Sequence, residues 1–235
     1  GEFQSTDRLY VDGVTVSTVQ NIIKIHDTNY ISVENIIKYA DIDLAYEDNT
    51  GADGLVDIKV MYDNNEYMTT AYIYHSIIYL PIRFLSNLGK NVCYDEKSGS
   101  IFINTPISYY ELMDCNDFII KSNELINDIY YCSKNIILYK NSDDCNTIIE
   151  LCNKFSSMIP NDMTGTYSYK SDFGKYIDEI KTAADNLKKV FTNIGRNQYA
   201  ENKEVLYKNT VSLFSKYNIF KTNVECYYTQ MICLK

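Results

Sequence analysis

Several residue types that catalytic and metal sites commonly need are scarce in this 235-residue chain. It has no tryptophan, three prolines and only two histidines, so few side chains are available for acid–base catalysis or for binding a transition metal. No apolar run approaches the roughly 20 residues that cross a bilayer, which predicts no membrane-spanning segment. Lys and Arg number 22 against 31 Asp and Glu, giving a formal net charge of −9. The sequence therefore predicts no nucleic-acid partner, because phosphate contacts need clustered cations.

Tyrosine is abundant instead, with 23 residues in a chain that is 46% hydrophobic and 23% charged. Such a composition is typical of a globular protein. Because tryptophan is absent, we expect many tyrosine rings to lie in the core or in an interface, with the hydroxyl at its edge. Gly1-Glu2-Phe3 is typical of a cloning remnant, and we expect a signal peptide to have been removed ahead of Gln4. The expected setting is secreted or cell surface.

The spacing of the apolar residues changes near Pro106. Before it, short β-rich runs alternate with turns, and Asp12-Gly13 predicts a tight hairpin. After it, apolar residues recur at every third or fourth position. We therefore predict an α+β chain. Residues 4–105 form a domain with an antiparallel sheet and two short helices, and residues 106–235 form an all-α helical bundle.

The N-terminal part contains an internal repeat with an offset of 49 residues. Residues 26–33 align with residues 75–82, which superimposes the two histidines, and the register continues through a short helix in each half. We expect Ser32 to cap the first helix and Pro81 to occupy the first position of the second. Two such halves can pack their helices against one shared antiparallel sheet.

The second half carries a recognisable sequence pattern over residues 78–103. A Tyr-x-Pro-x-Arg segment is followed by a helix ending in Leu-Gly, an aromatic-Asp strand, a turn and a last strand, and the residues concerned are Tyr79, Pro81, Arg83, Leu88, Gly89, Tyr94 and Asp95. This pattern resembles the copper amine oxidase-like N-terminal (stalk) domain, although Tyr94 stands where the family has Trp. The resemblance covers about residues 8–104. It implies an accessory module of secreted and wall-associated proteins of Gram-positive bacteria, and not an oxidase.

The same resemblance raises the question of copper. In the true oxidases three histidines hold copper in a separate catalytic domain, whereas this chain has only His26 and His75, so a type-2 copper site would lack an imidazole. We predict that both are structural or exposed, and we predict no metal and no cofactor. Residues 48–57 place oxygen ligands loosely as a calcium loop does, but they do not fit the EF-hand pattern. A lengthened Gly-rich turn is favoured there.

Arg83 lies in the first turn of its helix, where a cation opposes the helix dipole. Either its guanidinium binds a ligand, or it bonds an internal carboxylate or loop carbonyls. The resemblance favours the internal role. The possible carboxylates are those of Asp95, Asp57 and Glu34.

The C-terminal part predicts a bundle of four or five helices. The helical stretches span residues 108–139, 142–160, 171–194 and 197–233, and an interruption is expected in the last near Asn218. No phosphate-binding loop and no nucleophile–base pair can be assembled from this part of the sequence.

Six of the seven cysteines lie in the helical part, and none forms a CxxC pair. In an exported domain this count predicts at least one disulfide, with buried thiols as the alternative. If the second and fourth helices pack antiparallel, Cys145 can bond Cys233 while Cys152 bonds Cys226. The competing pairing joins Cys132 to Cys145 across a helical hairpin.

These observations together favour a non-enzymatic exported surface or cell-wall-associated protein. The stalk module would serve in attachment or spacing, and the bundle would bind a protein or a cell-wall component; the oligomeric state stays open. The alternative is a secreted enzyme with an unfamiliar all-α catalytic domain. A deep carboxylate-lined pocket would favour the enzyme, and a flat apolar or tyrosine-rich patch would favour binding.

Overall fold

The chain divides into two compact units, Gly1–Pro106 and Ile107–Lys235. The first contains β-sheet with two short helices and the second contains helices, so the predicted α+β class is confirmed. The structure, a computed structural model, describes residues 7–18, 21–47, 53–161, 166–193 and 198–233.

The described residues of the first unit form two sheets. The strands are β1 (Arg8–Val11), β2 (Val14–Val16), β3 (Ile22–Ile25), β4 (Thr28–Ser32), β5 (Ala45–Tyr46), β6 (Gly54–Tyr62), β7 (Asn65–Tyr74), β8 (Ile77–Pro81), β9 (Asn91–Asp95) and β10 (Ser100–Asn104). One sheet has the order β2-β1-β10-β9 and the other the order β3-β4-β8-β7-β6-β5. Strands β1 and β10 are parallel, and the other pairs are antiparallel.

The expectation of one shared antiparallel sheet is therefore corrected. The hairpin β5–β6 ends the first half of the repeat and joins the large sheet through β7. The corresponding hairpin β9–β10 of the second half pairs with β1 instead, because the N-terminal strand lies beside β10. The repeat alone does not predict that β1 pairs with β10.

Four tight hairpins connect the antiparallel strands. Both central residues of each turn have positive φ, the arrangement whose twist matches that of the flanking strands. The angles are 45° and 80° at Asp12-Gly13, 47° and 63° at His26-Asp27, 49° and 62° at Asp63-Asn64, and 47° and 65° at His75-Ser76. The predicted Asp12-Gly13 hairpin is confirmed, and the two histidines lie in the turns themselves.

The two short helices of the first unit begin and end differently. In α1 (Val33–Tyr39) the side chain of Ser32 accepts a hydrogen bond from the backbone N–H of Asn35, which confirms the predicted cap. The second is a 3-10 helix, Ile82–Leu88. Its N-cap is Pro81, one position earlier than predicted, because the proline still belongs to β8.

One buried apolar cluster joins both sheets and both short helices. It takes its side chains from the alternate positions of the strands that face inward and from one stripe of each helix. Representative members are Leu9, Ile31, Ile36, Ile58, Leu80, Leu85 and Ile101. The opposite face of the large sheet therefore lies outside this core.

The second unit is a bundle of four helices. They are α2 (Tyr109–Tyr139), α3 (Ser142–Met158), α4 (Thr166–Thr192) and α5 (Tyr199–Cys233). Helix α2 packs against α3 and α5, and α4 packs against the same two, so α3 and α5 lie diagonally opposite each other. Short connections make each pair of neighbours antiparallel. Ser108 caps α2 through a capping box with Glu111.

Two predicted helix features are corrected. Helix α5 continues through Asn218 without interruption, since this side chain is exposed and does not compete for the helical bonds. Helix α4 begins at Thr166 rather than at residue 171. The ring of Tyr169 is fully buried, so packing extends the helix through a stretch that looks polar in sequence. Gly195, for which the sequence predicts either a helix C-cap or a kink, lies outside the described residues.

Six rings from all four helices form the centre of the bundle. Their centroids lie 5.1 to 6.4 Å apart, and the rings are those of Phe118, Phe155, Tyr169, Phe173, Tyr217 and Phe220. The two tyrosine hydroxyls are bonded: Tyr217 Oη lies 2.8 Å from Ser122 Oγ, and Asn223 Nδ2 donates to Tyr169 Oη at 3.1 Å. The expected use of tyrosine as a core ring is seen here.

Candidate binding surface

The two halves of the sequence repeat meet at strands β4 and β8. Ile31 is paired directly with Leu80, and Ser32 is paired with Tyr79. Leu80 follows Ile31 by the repeat offset of 49 residues. The equivalent strands therefore pair with each other about a local two-fold axis that passes between these two residues.

The outer face of the large sheet carries a second set of apolar side chains. Because side chains alternate along a strand, residues at every second position share this face, and the strand register places the sets on neighbouring strands side by side. We call this surface the tyrosine face and define it by Ile23, Ile25, Tyr30, Leu55, Met68, Tyr72, Tyr74, Ile77 and Tyr79. Four of its members form a buried cluster separate from the main core, with Tyr72 packed against them.

Repeat-equivalent residues occupy symmetric positions on the tyrosine face, but their side chains differ in exposure. Tyr72 and Tyr74 are the repeat equivalents of Ile23 and Ile25. Ile25 is only 9% exposed, whereas Tyr74 is 40% exposed. On strands β6 and β7 the exposure rises further, to 51% at Leu55 and 64% at Met68. The open part of the face therefore lies over the second half of the repeat and the β6–β7 hairpin.

The rings on this face pack against one another. Tyr30 and Tyr72 have centroids 6.5 Å apart at an angle of 56°, and Tyr74 lies 4.0 Å from the ring of His75. Burial, followed by the nearby Tyr74, raises the pKa of the Tyr79 hydroxyl. This hydroxyl therefore stays protonated at neutral pH.

Most charged groups on the same face have partners within it. Lys59 Nζ lies 2.9 Å from Glu66 and 4.0 Å from Glu47. The hydrogen bond from Lys59 to Glu66, followed by the charges of Glu66 and Glu47, raises the pKa of the lysine. Thr70 donates to Asp57 at 2.7 Å. The surface thus presents apolar and aromatic groups beside compensated charges.

Both histidines are exposed, as one of the two predicted alternatives requires. His26 and His75 occupy the first positions of equivalent turns. In the part of the chain that the structure describes, no group of three or more His, Cys, Asp and Glu side chains is arranged to hold a metal ion. Half of the loop compared with a calcium site, residues 48–52 of 48–57, lies outside that part.

The predicted internal role of Arg83 is wrong. Its side chain is exposed, and within the described ranges none of the ion pairs or hydrogen bonds involves it. Two of the proposed carboxylates have other partners: Asp95 accepts from Ser98, and Asp57 accepts from Thr70. A cation is tolerated in this first turn because the helix is one short 3-10 segment, in which few peptide dipoles add up.

The other residues of the recognised pattern shape the local backbone. Leu88 and Tyr79 are buried, and Gly89 ends the 3-10 helix with a φ of 76°. The Asp95 carboxylate accepts the backbone N–H of residue 98 and thereby fixes the β9–β10 turn. Tyr94 is 46% exposed. Apart from Tyr94, these residues serve the fold.

All seven cysteines are free thiols. The pairing of Cys145 with Cys233 and of Cys152 with Cys226 is wrong, because it requires neighbouring helices and α3 and α5 are diagonal. Cys132 does lie level with the start of α3, where its thiol donates to the carbonyl of Asp144 at 3.3 Å. Cys132 and Cys145 therefore lie at the same height in the bundle, as the competing pairing requires, but no disulfide joins their sulfurs.

The three thiols between α2 and α3 are poor nucleophiles. Burial raises the pKa of Cys132 and of Cys152 to about 12, and that of Cys145 to about 11. The charge of nearby Asp144 further raises the pKa of Cys132 and that of Cys145. Since the thiolate is the reactive form, these cysteines act as small core residues.

Sequence reasoning expected a tyrosine-rich patch as one possible outcome but did not locate it. The sequence signal for it is the stretch from Ile77 to Ile82, where apolar side chains occupy both alternating sets and so both faces of the strand.

None of the helices within the described ranges is long and apolar enough to cross a membrane. No protein-family model, no curated protein and no solved structure matches this chain.

Proposed function

We propose that this chain is a non-enzymatic binding protein of the cell surface or cell wall, and that the tyrosine face contacts a partner protein. The observation that carries the proposal is the exposure of Leu55, Met68, Tyr74 and Ile77 on one face of the sheet. Exposed aromatic and Met side chains in a contiguous patch are enriched where proteins bind each other. The exported setting rests on the resemblance of residues 8–104 to the stalk domain.

The chemistry of the face favours a protein over a charged polymer. The residues that define the face include no lysine or arginine, and the neighbouring Lys59 is engaged by Glu66 and Glu47. The buried cluster of Ile23, Tyr30 and Tyr79 lies beside the open part on the same face, and the partly buried ring of Tyr72 packs against it. A pre-ordered aromatic surface loses little side-chain entropy on binding.

Retention on cell walls tests this proposal. The full chain is incubated with Gram-positive cell walls prepared with and without protease treatment, and the retained fraction is measured. Retention on untreated walls and its loss after protease treatment are expected. Retention on protease-treated walls would identify a wall polymer as the ligand and overturn the choice of a protein partner.

Matched variants locate the binding surface. Met68→Ser with Tyr74→Ser removes two exposed groups from the tyrosine face and should weaken retention at least tenfold. Val14→Ser with Ile37→Ser removes two groups of comparable exposure elsewhere in the same unit and should leave retention unchanged. Equal retention of both double variants, with thermal melts showing both folded, would contradict the assignment of this face.

A further inference from the structure

Helix α2 carries a second apolar row on the side that faces away from the bundle. Its buried residues, from Leu112 to Ile136, form one stripe against the other helices. On the opposite side lies a row of exposed apolar side chains: Met113 at 38%, Ile120 at 70%, Tyr131 at 62% and Leu138 at 68%. At about 100° per residue these four lie within about 20° of one line along the helix. We call them the outer row.

The outer row is unusual for a bundle helix. The side of such a helix that points away from the core normally carries polar residues, whereas this one has four large apolar side chains spread over 25 residues, or about 37 Å of helix. Single exposed apolar residues need no explanation, but an aligned row along one helix is typical of a contact surface.

The spacing of the row is the same in both directions. The intervals are 7, 11 and 7 residues, so the row is a palindrome about the middle of the helix. When two copies of α2 lie antiparallel, Met113 of one faces Leu138 of the other, and Ile120 faces Tyr131. A two-fold dimer requires such self-complementarity, because the same patch is used by both copies.

The charges on α2 distinguish the antiparallel from the parallel arrangement. Asp117 lies in its first third, where it also pairs with Lys121 of the same helix at 2.8 Å, and Lys134 lies near its end. Both lie within about 60° of the outer row. An antiparallel pair places Asp117 of one copy beside Lys134 of the other, whereas a parallel pair places like charges together. Like-charge contacts are unfavourable, so the antiparallel arrangement is preferred.

The middle of the row is polar. Glu124 and Asn127 are the positions that face each other across the two-fold axis when the register above is kept. Polar residues at the centre of an apolar seam fix the register of paired helices, since any shift buries them against apolar groups. The spacing, the charges and the polar centre therefore indicate the same arrangement.

We infer that the chain forms a symmetric dimer with a second copy of itself, in which two α2 helices pack antiparallel along their outer rows. Four apolar anchors per copy on one helix give a small interface, which corresponds to a weak, concentration-dependent dimer. The outer row and the tyrosine face share no residue, so each dimer carries two copies of the tyrosine face. If the proposed function holds, two copies raise the apparent affinity for a partner that both can reach, without new contacts.

Sedimentation equilibrium of the full chain tests the dimer. A monomer–dimer equilibrium with a dissociation constant in the micromolar range is expected. Ile120→Glu and Tyr131→Glu should each weaken it at least tenfold, while Tyr207→Glu, at a 54% exposed position on α5, should not. Circular dichroism checks that each variant is folded. A monomer at all concentrations, or a dimer indifferent to both row substitutions, would overturn the inference.

Cross-linking tests the orientation. In the antiparallel arrangement, a mixture of Met113→Cys and Leu138→Cys chains gives a mixed cross-link between these two positions, identified by peptide mapping, and neither variant alone cross-links through its new cysteine. Cross-links of each variant with itself would show a parallel pair and contradict the proposed register. Lys134→Glu should weaken the dimer, and adding Asp117→Lys should restore it.

Discussion

Ile31 and Leu80 are equivalent residues of a sequence repeat and are also direct neighbours across two antiparallel strands. Both are essentially fully buried, at 1% and 0% exposure. Their pairing joins the two halves of the N-terminal unit at the centre of its large sheet. The contact between the halves is therefore part of the same core that each half uses for itself.

Truncating either residue of this pair should destabilise the N-terminal unit strongly. Leu80→Ala leaves a cavity at a site with little room to collapse, and a loss of about 2–5 kcal/mol in unfolding free energy is expected. Denaturant unfolding followed by tyrosine fluorescence measures it. Ile77→Ala, at a 41% exposed position of the same strand, should stay within about 0.5 kcal/mol of the unmodified chain.

Two glycines should respond to alanine with opposite signs. Gly89 has a φ of 76°, a conformation that costs a residue with a Cβ roughly 1–2 kcal/mol, so Gly89→Ala should lower the melting temperature. Gly174 lies inside α4, where an added Cβ meets nothing within 4 Å. Gly174→Ala should stabilise the helix by about 0.5–1 kcal/mol. Destabilisation by both would show that helix α4 is not formed as described.

The buried hydroxyl pair of the bundle should show coupling. Tyr217 Oη and Ser122 Oγ are 2.8 Å apart, and Ser122 also donates to the carbonyl of Phe118. Tyr217→Phe should cost about 0.5–1.5 kcal/mol in unfolding free energy. In a double-mutant cycle with Ser122→Ala, the combined loss should be smaller than the sum of the single losses. Strict additivity would mean that the hydroxyls do not bond each other.

The buried thiols predict a loss of stability at alkaline pH. The pKa of Cys152 is about 12 in the fold against an ordinary value of 9.0, so above pH 9 the unfolded chain releases a proton that the folded chain keeps. Stability from this group is complete below pH 9 and falls as the pH rises, by about 1.4 kcal/mol at pH 10. Unfolding free energies between pH 8 and 10 should have a shallower pH slope in Cys152→Ala. An unchanged slope would contradict the burial of this thiol.

The two units should fold separately. Residues 7–106 contain their own buried cluster, and residues 107–235 contain the aromatic centre of the bundle. Each fragment is expected to give a cooperative thermal transition, the first mainly by β-type and the second by helical circular dichroism. A fragment that stays unfolded by itself would show that its core is completed by the other unit.

Local sequence signals were sufficient for the elements that local chemistry decides. The Asp12-Gly13 turn, the Ser32 cap and the helix from residue 109 to residue 139 all follow from short-range rules. The sequence did not show that β1 pairs with β10, because parallel pairing of distant strands has no local pattern. The start of α4 was misplaced because the burial of Tyr169 depends on rings from other helices.

The candidate surfaces were harder to predict for a related reason. Periodicity indicates which residues can share a face, but not whether another element covers that face. Tyr74 and its repeat equivalent Ile25 have the same register position and very different exposure. Likewise, the cysteine pairing failed because it needed the order of the helices around the bundle, which heptad spacing does not fix.

The local two-fold axis between β4 and β8 also bears on how such a unit changes over evolutionary time. In a symmetric homodimer every substitution appears in both copies at once, so a surface residue and its mate cannot diverge. When two halves share one chain, each position mutates alone while the paired strands keep them together. A tandem arrangement of this kind lets one half specialise in packing, as Ile23 and Ile25 do, while the other acquires an exposed ring at Tyr74.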